Sequence, residues 1–237
     1  FMSGGTSRKD HSEVGSSYIH FNYTPNQDKA TASLMGDVPN GVMLNQRPIF
    51  LGGQGGLVGP CRLAFGTIIA AGSINRRDEL REGRLILEAS KSGNVSYTPG
   101  IYIGMERIIK NNVIYIANLA ALMQWYIHVR SQFISHEFPE TLLDGMKEKL
   151  SMAIRERIKR LKAFYLQKET RLSDKWPVMD ADLISLQNRA GNTSLRDLFL
   201  EKIAAGIETF GKDYIAVIKN LGEDAEIGTR WLTGVLD

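Results

Sequence analysis

Residues 51–74 read LGGQGGLVGPCRLAFGTIIAAGSI, which divides into four six-residue units: LGGQGG, LVGPCR, LAFGTI and IAAGSI. Leu51, Leu57, Leu63 and Ile69 open the units, and Gly55, Cys61, Thr67 and Ser73 take the fifth place. One aliphatic and one small residue every six positions fits neither a helical stripe nor strand alternation. It fits a parallel β-helix, in which short strands stack so that these positions form one continuous core. Glycines beside the corners supply backbone angles that a side chain would resist. The expectation is a β-solenoid over residues 14–75, with Leu51, Leu57, Leu63 and Ile69 facing inward.

Outward from this stretch the pattern weakens on both sides. Upstream, residues 1–13 are small and polar, and VGSSYIHF from Val14 reads as a further coil. NYTPNQDKATAS (22–33) and PNGVMLNQRP (39–48) break the period and read as loops, with LMGDV (34–38) a re-entry between them. Binding groups concentrate on loops thrown from a rigid scaffold, so these two are where chemistry is expected first. The chain starts at Phe1 with the repeat already under way by Val14, which points to a piece of a longer solenoid.

Downstream, the charged run NRRDELREGR reads as the polar cap of the repeat, and residues 91–104 as a linker. Helical spacing then takes over. One helix is expected from Met105 to Ser135 and a second over 140–168. A third opens after Trp176-Pro177. A fourth begins near Thr193 with Ser194 or Asn192 as cap, its apolar side running from Leu198 through Ile203, Ile207 and Phe210 to Ile215 and Ile218. The expected domains are a β-helix over 1–90 and a helical region over 91–237.

A chain of 237 residues, 43% hydrophobic and 23% charged, is ordinary for a soluble protein and large enough to bury a core. A net charge of +3 does not argue for nucleic acid. The most apolar run, Val113 to Val129, is too short and too polar for a membrane span. A single cysteine rules out an internal disulfide framework and fits a reducing compartment, so a cytoplasmic location is expected. Cys61, in the fifth place of its unit, reads as a small core residue.

The stretch GSSYIHFNYTPNQDK (15–29), followed by LMGD (34–37) and IAAGSINRRD (69–78), resembles the acetyltransferase domain of the bifunctional glucosamine-1-phosphate acetyltransferase and N-acetylglucosamine-1-phosphate uridylyltransferase family. The resemblance implies a left-handed β-helix, a homotrimer, and acetyl-CoA as co-substrate. It also implies a sugar phosphate or nucleotide sugar as substrate. Asn22 and Tyr23 match a pair that contacts the substrate, and Lys29 resembles a lysine directed at its phosphate, with the spacing one residue longer here. Ala70, Ala71 and Gly72 match a coil beside the cofactor. His11 is the nearest candidate for the catalytic histidine, which the family places further upstream. A cofactor-contacting serine of the family is replaced at Gly52-Gly53, and residues 39–48 are an insertion relative to it. The resemblance covers about residues 13–78 and does not reach the helices.

Other readings of the same residues carry less. A zinc site of the hexapeptide carbonic anhydrase kind needs three histidines, yet besides His11 and His20 only His128 and His136 remain, in the helical half, so no metal is expected. GGQGG lacks the lysine and helix start of a phosphate loop. The basic series Arg155, Arg157, Lys159, Arg160 and Lys162 is interrupted by Glu156 and reads as a solvated helix face. Two functions remain. One is an acetyl-CoA-dependent transferase acting on an amino-sugar phosphate or nucleotide sugar; the other is a scaffold that kept the fold and lost the base.

Overall fold

The computed structural model describes residues 19–22, 30–52, 56–57, 61–87, 105–166, 181–183 and 185–237. Two compact units emerge: Phe1–Gly36 with Gln46–Asn111, and Asp37–Asn45 with Asn112–Asp237.

The first unit carries the strands. β1 (Ile19–Asn22) and β2 (Ala30–Met35) pair antiparallel, Ile19 opposite Ser33 through Asn22 opposite Ala30. β2 also pairs in parallel with β5 (Cys61–Arg62), Leu34 opposite Cys61. The remaining strands have two residues each. β3 (Phe50–Leu51), β6 (Ile68–Ile69) and β8 (Leu85–Ile86) make one parallel sheet, and β4 (Gly56–Leu57) with β7 (Ile74–Asn75) makes another.

A β-solenoid followed by an all-α region is therefore not the fold. Most of the described chain is helical, its strands are short pieces in three small sheets, and the first two run antiparallel. The physical reason lies in the two irregular stretches. With no apolar residue every six positions, residues 22–33 and 39–48 do not continue the period: 30–33, expected as loop, belong to a strand antiparallel to β1, and 37–45 belong to the other unit. The six-residue period acts only locally, setting Phe50 opposite Ile68 and Gly56 opposite Ile74. Leu57, Leu63 and Ile69 are buried together with Ile49 and Cys61, and Leu51, Phe65 and Ile86 pack against them. At about 1.5–3 kcal/mol for each fully buried aliphatic side chain, this small core stabilises strands too short to persist by themselves.

The second unit is helical. α1 (Val38–Gly41) is a single turn capped by Asp37, whose side chain accepts from Asn40 N. α2 (Met105–His128), which begins in the first unit, is buried on nearly every side between Tyr115 and Tyr126, which accounts for the length of its apolar run. α3 (Glu140–Leu166) buries Leu143, Leu150, Ile154, Ile158 and Leu161 along one stripe and leaves Leu142 exposed. α4 (Thr193–Phe210) is capped by Asn192, which accepts from Leu195 N at 3.0 Å. α5 (Tyr214–Lys219) and α6 (Ala225–Leu236) complete the unit.

The single helix expected through Ile218 stops at Phe210. Gly211 takes a φ of +64°, and Asp213 caps a new helix by accepting from Ala216 N. Of the expected apolar side Ile203 and Ile218 are buried, together with Phe199, whereas Leu198, Phe210 and Ile215 are exposed. Trp125, Phe199 and Trp231 are fully buried, with ring centroids 5.9 Å and 6.3 Å apart along the series. Both indoles are satisfied: Trp125 Nε1 donates to Tyr214 Oη at 3.1 Å and Trp231 Nε1 to Ala190 O at 2.9 Å. Arg130 is buried with its guanidinium over the rings of Phe138 and Tyr214, 4.2 Å and 3.8 Å from their centroids. No helix among the described residues is long and apolar enough to cross a membrane.

Candidate functional site

The residues of the candidate site fall partly within the described chain. His11, Tyr23 and Lys29 lie outside the described residues. Asn22 ends β1 opposite Ala30, so residues 23–29 connect the two antiparallel strands. Ala70, Ala71 and Gly72 form the turn between β6 and β7.

That turn is built almost wholly from backbone. Ala70 N donates to Ile86 O at 3.0 Å, and Ser73 N closes the turn onto Ala70 O at 3.1 Å. Gly72 has a φ of +74°, and a Cβ added there would meet nothing within 4 Å, so glycine is required by conformation and not by crowding. At Gly52 the reverse holds. Its N–H donates to Ile69 O at 2.8 Å, and a Cβ there would come within 2.6 Å of Ile69 O and the Ala70 carbonyl carbon, and closer still to the Ala71 nitrogen. The position at which the resembling family carries a cofactor-contacting serine is thus, in this chain, one where backbone lies flush on backbone. Ala71 and Gly72 are exposed, leaving a turn whose outer surface is a methyl group and peptide atoms.

Charge lies elsewhere on this unit. Asp78 accepts from Arg62 N at 3.0 Å and from Arg107 Nη2 at 3.1 Å. In the sequence Asp78 belongs to the polar cap and to the IAAGSINRRD stretch; its pairing with Arg107, 29 residues on, has no local signal. Glu79 takes both Nε and Nη2 of Arg81, and those hydrogen bonds hold its carboxyl down to about 2. The Cys61 thiol is pushed up to about 11, first by burial and then by the charge of Asp78, with Arg107 opposing. At neutral pH it is protonated and is not a nucleophile. In the helical unit, burial and Arg196 lower the His128 pKa below its ordinary value, with Asp197 opposing. Among the described residues no three His, Cys, Asp or Glu side chains come together as a metal site.

Compared with known proteins, the chain matches no family model, no curated protein and no solved structure.

Proposed function

We propose that this chain is an acetyl-CoA-dependent acyltransferase acting in the cytoplasm on an amino-sugar phosphate or nucleotide sugar. The observation that carries the reading is the Ala70–Gly72 turn: exposed at Ala71 and Gly72, free of bulky side chains, and pinned by the flush contact with Gly52. A thioester and its pantetheine arm can lie against such a surface, which no bulky side chain obstructs. In this reading Lys29 binds the substrate phosphate, and Asn22 and Tyr23 orient the sugar. His11 removes the proton from the attacking amine. The amine nitrogen forms a bond to the acetyl carbon, the carbon–sulfur bond breaks, and the thiolate of CoA leaves with a proton. Residues 23–29, a polar stretch containing Pro25 between two paired strands, would carry an ordering cost that ligand binding accounts for better than stability does.

A homotrimer belongs to the same reading. Phe50, Ile68 and Leu85 stand in register across β3, β6 and β8 and are 59%, 45% and 59% exposed, an apolar row suited to burial against further copies. Light scattering at micromolar concentration should give three times the chain mass.

The test of the activity is a paired measurement on Lys29→Ala. Calorimetric titration with glucosamine 1-phosphate, UDP-linked amino sugars and acetyl-CoA should show sugar-phosphate affinity weakened by about 1.5–3 kcal/mol, the range for hydrogen bonds to charged groups. The melting temperature should not move. No binding of any of these ligands, or an early-melting variant with unaltered affinity, would leave the non-catalytic scaffold as the better reading.

A further inference from the structure

We infer that residues 37–45 are a key which the helical unit must receive to reach its native packing, and which the strand unit does not need. The chain leaves β2, spends nine residues as part of the helical unit, and returns to β3. Those residues, DVPNGVMLN, showed no periodicity in the sequence, yet Val38, Val42, Met43 and Leu44 are all buried.

Their seat is specific. Val38 N donates to Asn118 Oδ1 at 2.9 Å, and the orientation of that carboxamide is fixed because Asn118 Nδ2 donates to Ile114 O at 3.0 Å. Thr229 Oγ1 donates to Pro39 O at 2.9 Å. Met43 fills the space over Gly228: a Cβ at Gly228 would lie 2.5 Å from Met43 Cε and 2.7 Å from the Phe199 ring. Polar side chains of α2 and α6 thus satisfy backbone groups of the segment, and α6 omits a side chain where the segment inserts one.

The segment cannot hold this shape alone. A single helical turn pays the nucleation cost without the propagation gain. Leu44 sits at φ +56°, a left-handed conformation that a leucine keeps only where its surroundings impose it. The dependence runs one way. Among the described residues the strand core of Ile49, Leu57, Cys61, Leu63 and Ile69 includes nothing from 37–45, so for that unit the segment is a loop whose release costs little beyond closure entropy. The helical unit is therefore not an autonomous domain, although its helices are contiguous from Asn112 onward. This inference is independent of the acyltransferase reading.

Hydrogen exchange on the full chain tests it. In Val42→Asp a charge would have to be buried without a partner, and amide protection in α2, α4 and α6 should fall by about a thousandfold. Amides of Phe50, Ile68 and Ala70, which donate to the Thr67, Arg84 and Ile86 carbonyls, should stay within about threefold of the unaltered chain. A second variant replaces residues 38–44 with a Gly-Ser linker of equal length and introduces no charge; it should give the same split between the units. Helical amides that stay protected in the linker variant would overturn the inference. So would strand amides that lose protection together with the helical ones in that variant.

Discussion

In the strand unit order resides mostly in the backbone: short strands are held by main-chain hydrogen bonds at repeating intervals around a core of Ile, Leu and Cys side chains, and the buried Thr67, Ser73 and Asn75 side chains donate to nearby main-chain carbonyls. In the helical unit order resides in particular side chains. Trp125 and Trp231 each fill the interior and also place an indole N–H on one acceptor, and Arg130 lies over two aromatic rings. The contrast indicates where each unit tolerates change. A repeat of interchangeable aliphatics should accept a trimmed side chain and refuse an added one where backbones touch; a core of irregular aromatics should refuse loss at the positions that do two jobs.

The largest expected effect is in the helical unit. Trp231→Ala removes a fully buried ring packed on Phe199 and leaves the Ala190 carbonyl without its donor, which should cost about 3–5 kcal/mol in chemical denaturation. In the strand unit two changes set bounds on the comparison. Gly52→Ala drives a methyl into the Ile69–Ala71 backbone and should cost about 1–3 kcal/mol, and more if the strands cannot part. Ile69→Val, at a position as deeply buried as Trp231, should cost only about 0.5–1.5 kcal/mol. If Ile69→Val cost as much as Trp231→Ala, the distinction between interchangeable and dedicated side chains would fail.

The smallest effect concerns pH and belongs to the helical unit alone. His128 stands edge-on to Trp231, centroids 5.9 Å apart, and its pKa is lowered chiefly by burial and secondarily by Arg196. A group whose folded pKa is depressed binds its proton more readily in the unfolded chain. The stability it contributes is therefore present above the ordinary histidine value of 6.5 and is lost as pH falls through the folded value. Thermal melts followed from about pH 7.5 to about pH 5 should show the helical signal declining, and His128→Gln should flatten that decline. Equal slopes for the two proteins would assign the decline to other groups.

The readable parts of this architecture were those governed by short-range rules. A residue opening every sixth position marked Leu57, Leu63 and Ile69 as interior, with Leu51 half-buried, and of the cap candidates Ser194 and Asn192 the cap is Asn192. The antiparallel pairing of β1 with β2 was not readable, because ATAS supplies small residues with no alternation to set a register. The helix break at Gly211 was hidden by apolar spacing that continued across it, and only the left-handed glycine followed by Asp213 betrays it. Seating of 37–45 among distant helices depends on Asn118 and Thr229, 80 and 190 residues away from their partners, and no local pattern encodes that. The corner at Gly72 was legible because a turn glycine carries its own signal, whereas Ala70, Ala71 and Gly72 enter the candidate site through the resemblance alone. His11, Tyr23 and Lys29 lie outside the described residues.

Cys61 has one practical consequence. Alkylating reagents attack the thiolate, and a buried sulfur whose pKa is pushed up to about 11 offers almost none of it at pH 8. Labelling must wait until the strand unit opens and the sulfur meets water. As the chain has one cysteine, every label taken up reports that event and no other. The rate of label uptake is thus a clock for openings of the strand unit, read from the mass of the intact protein while the helices go about their own fluctuations unrecorded.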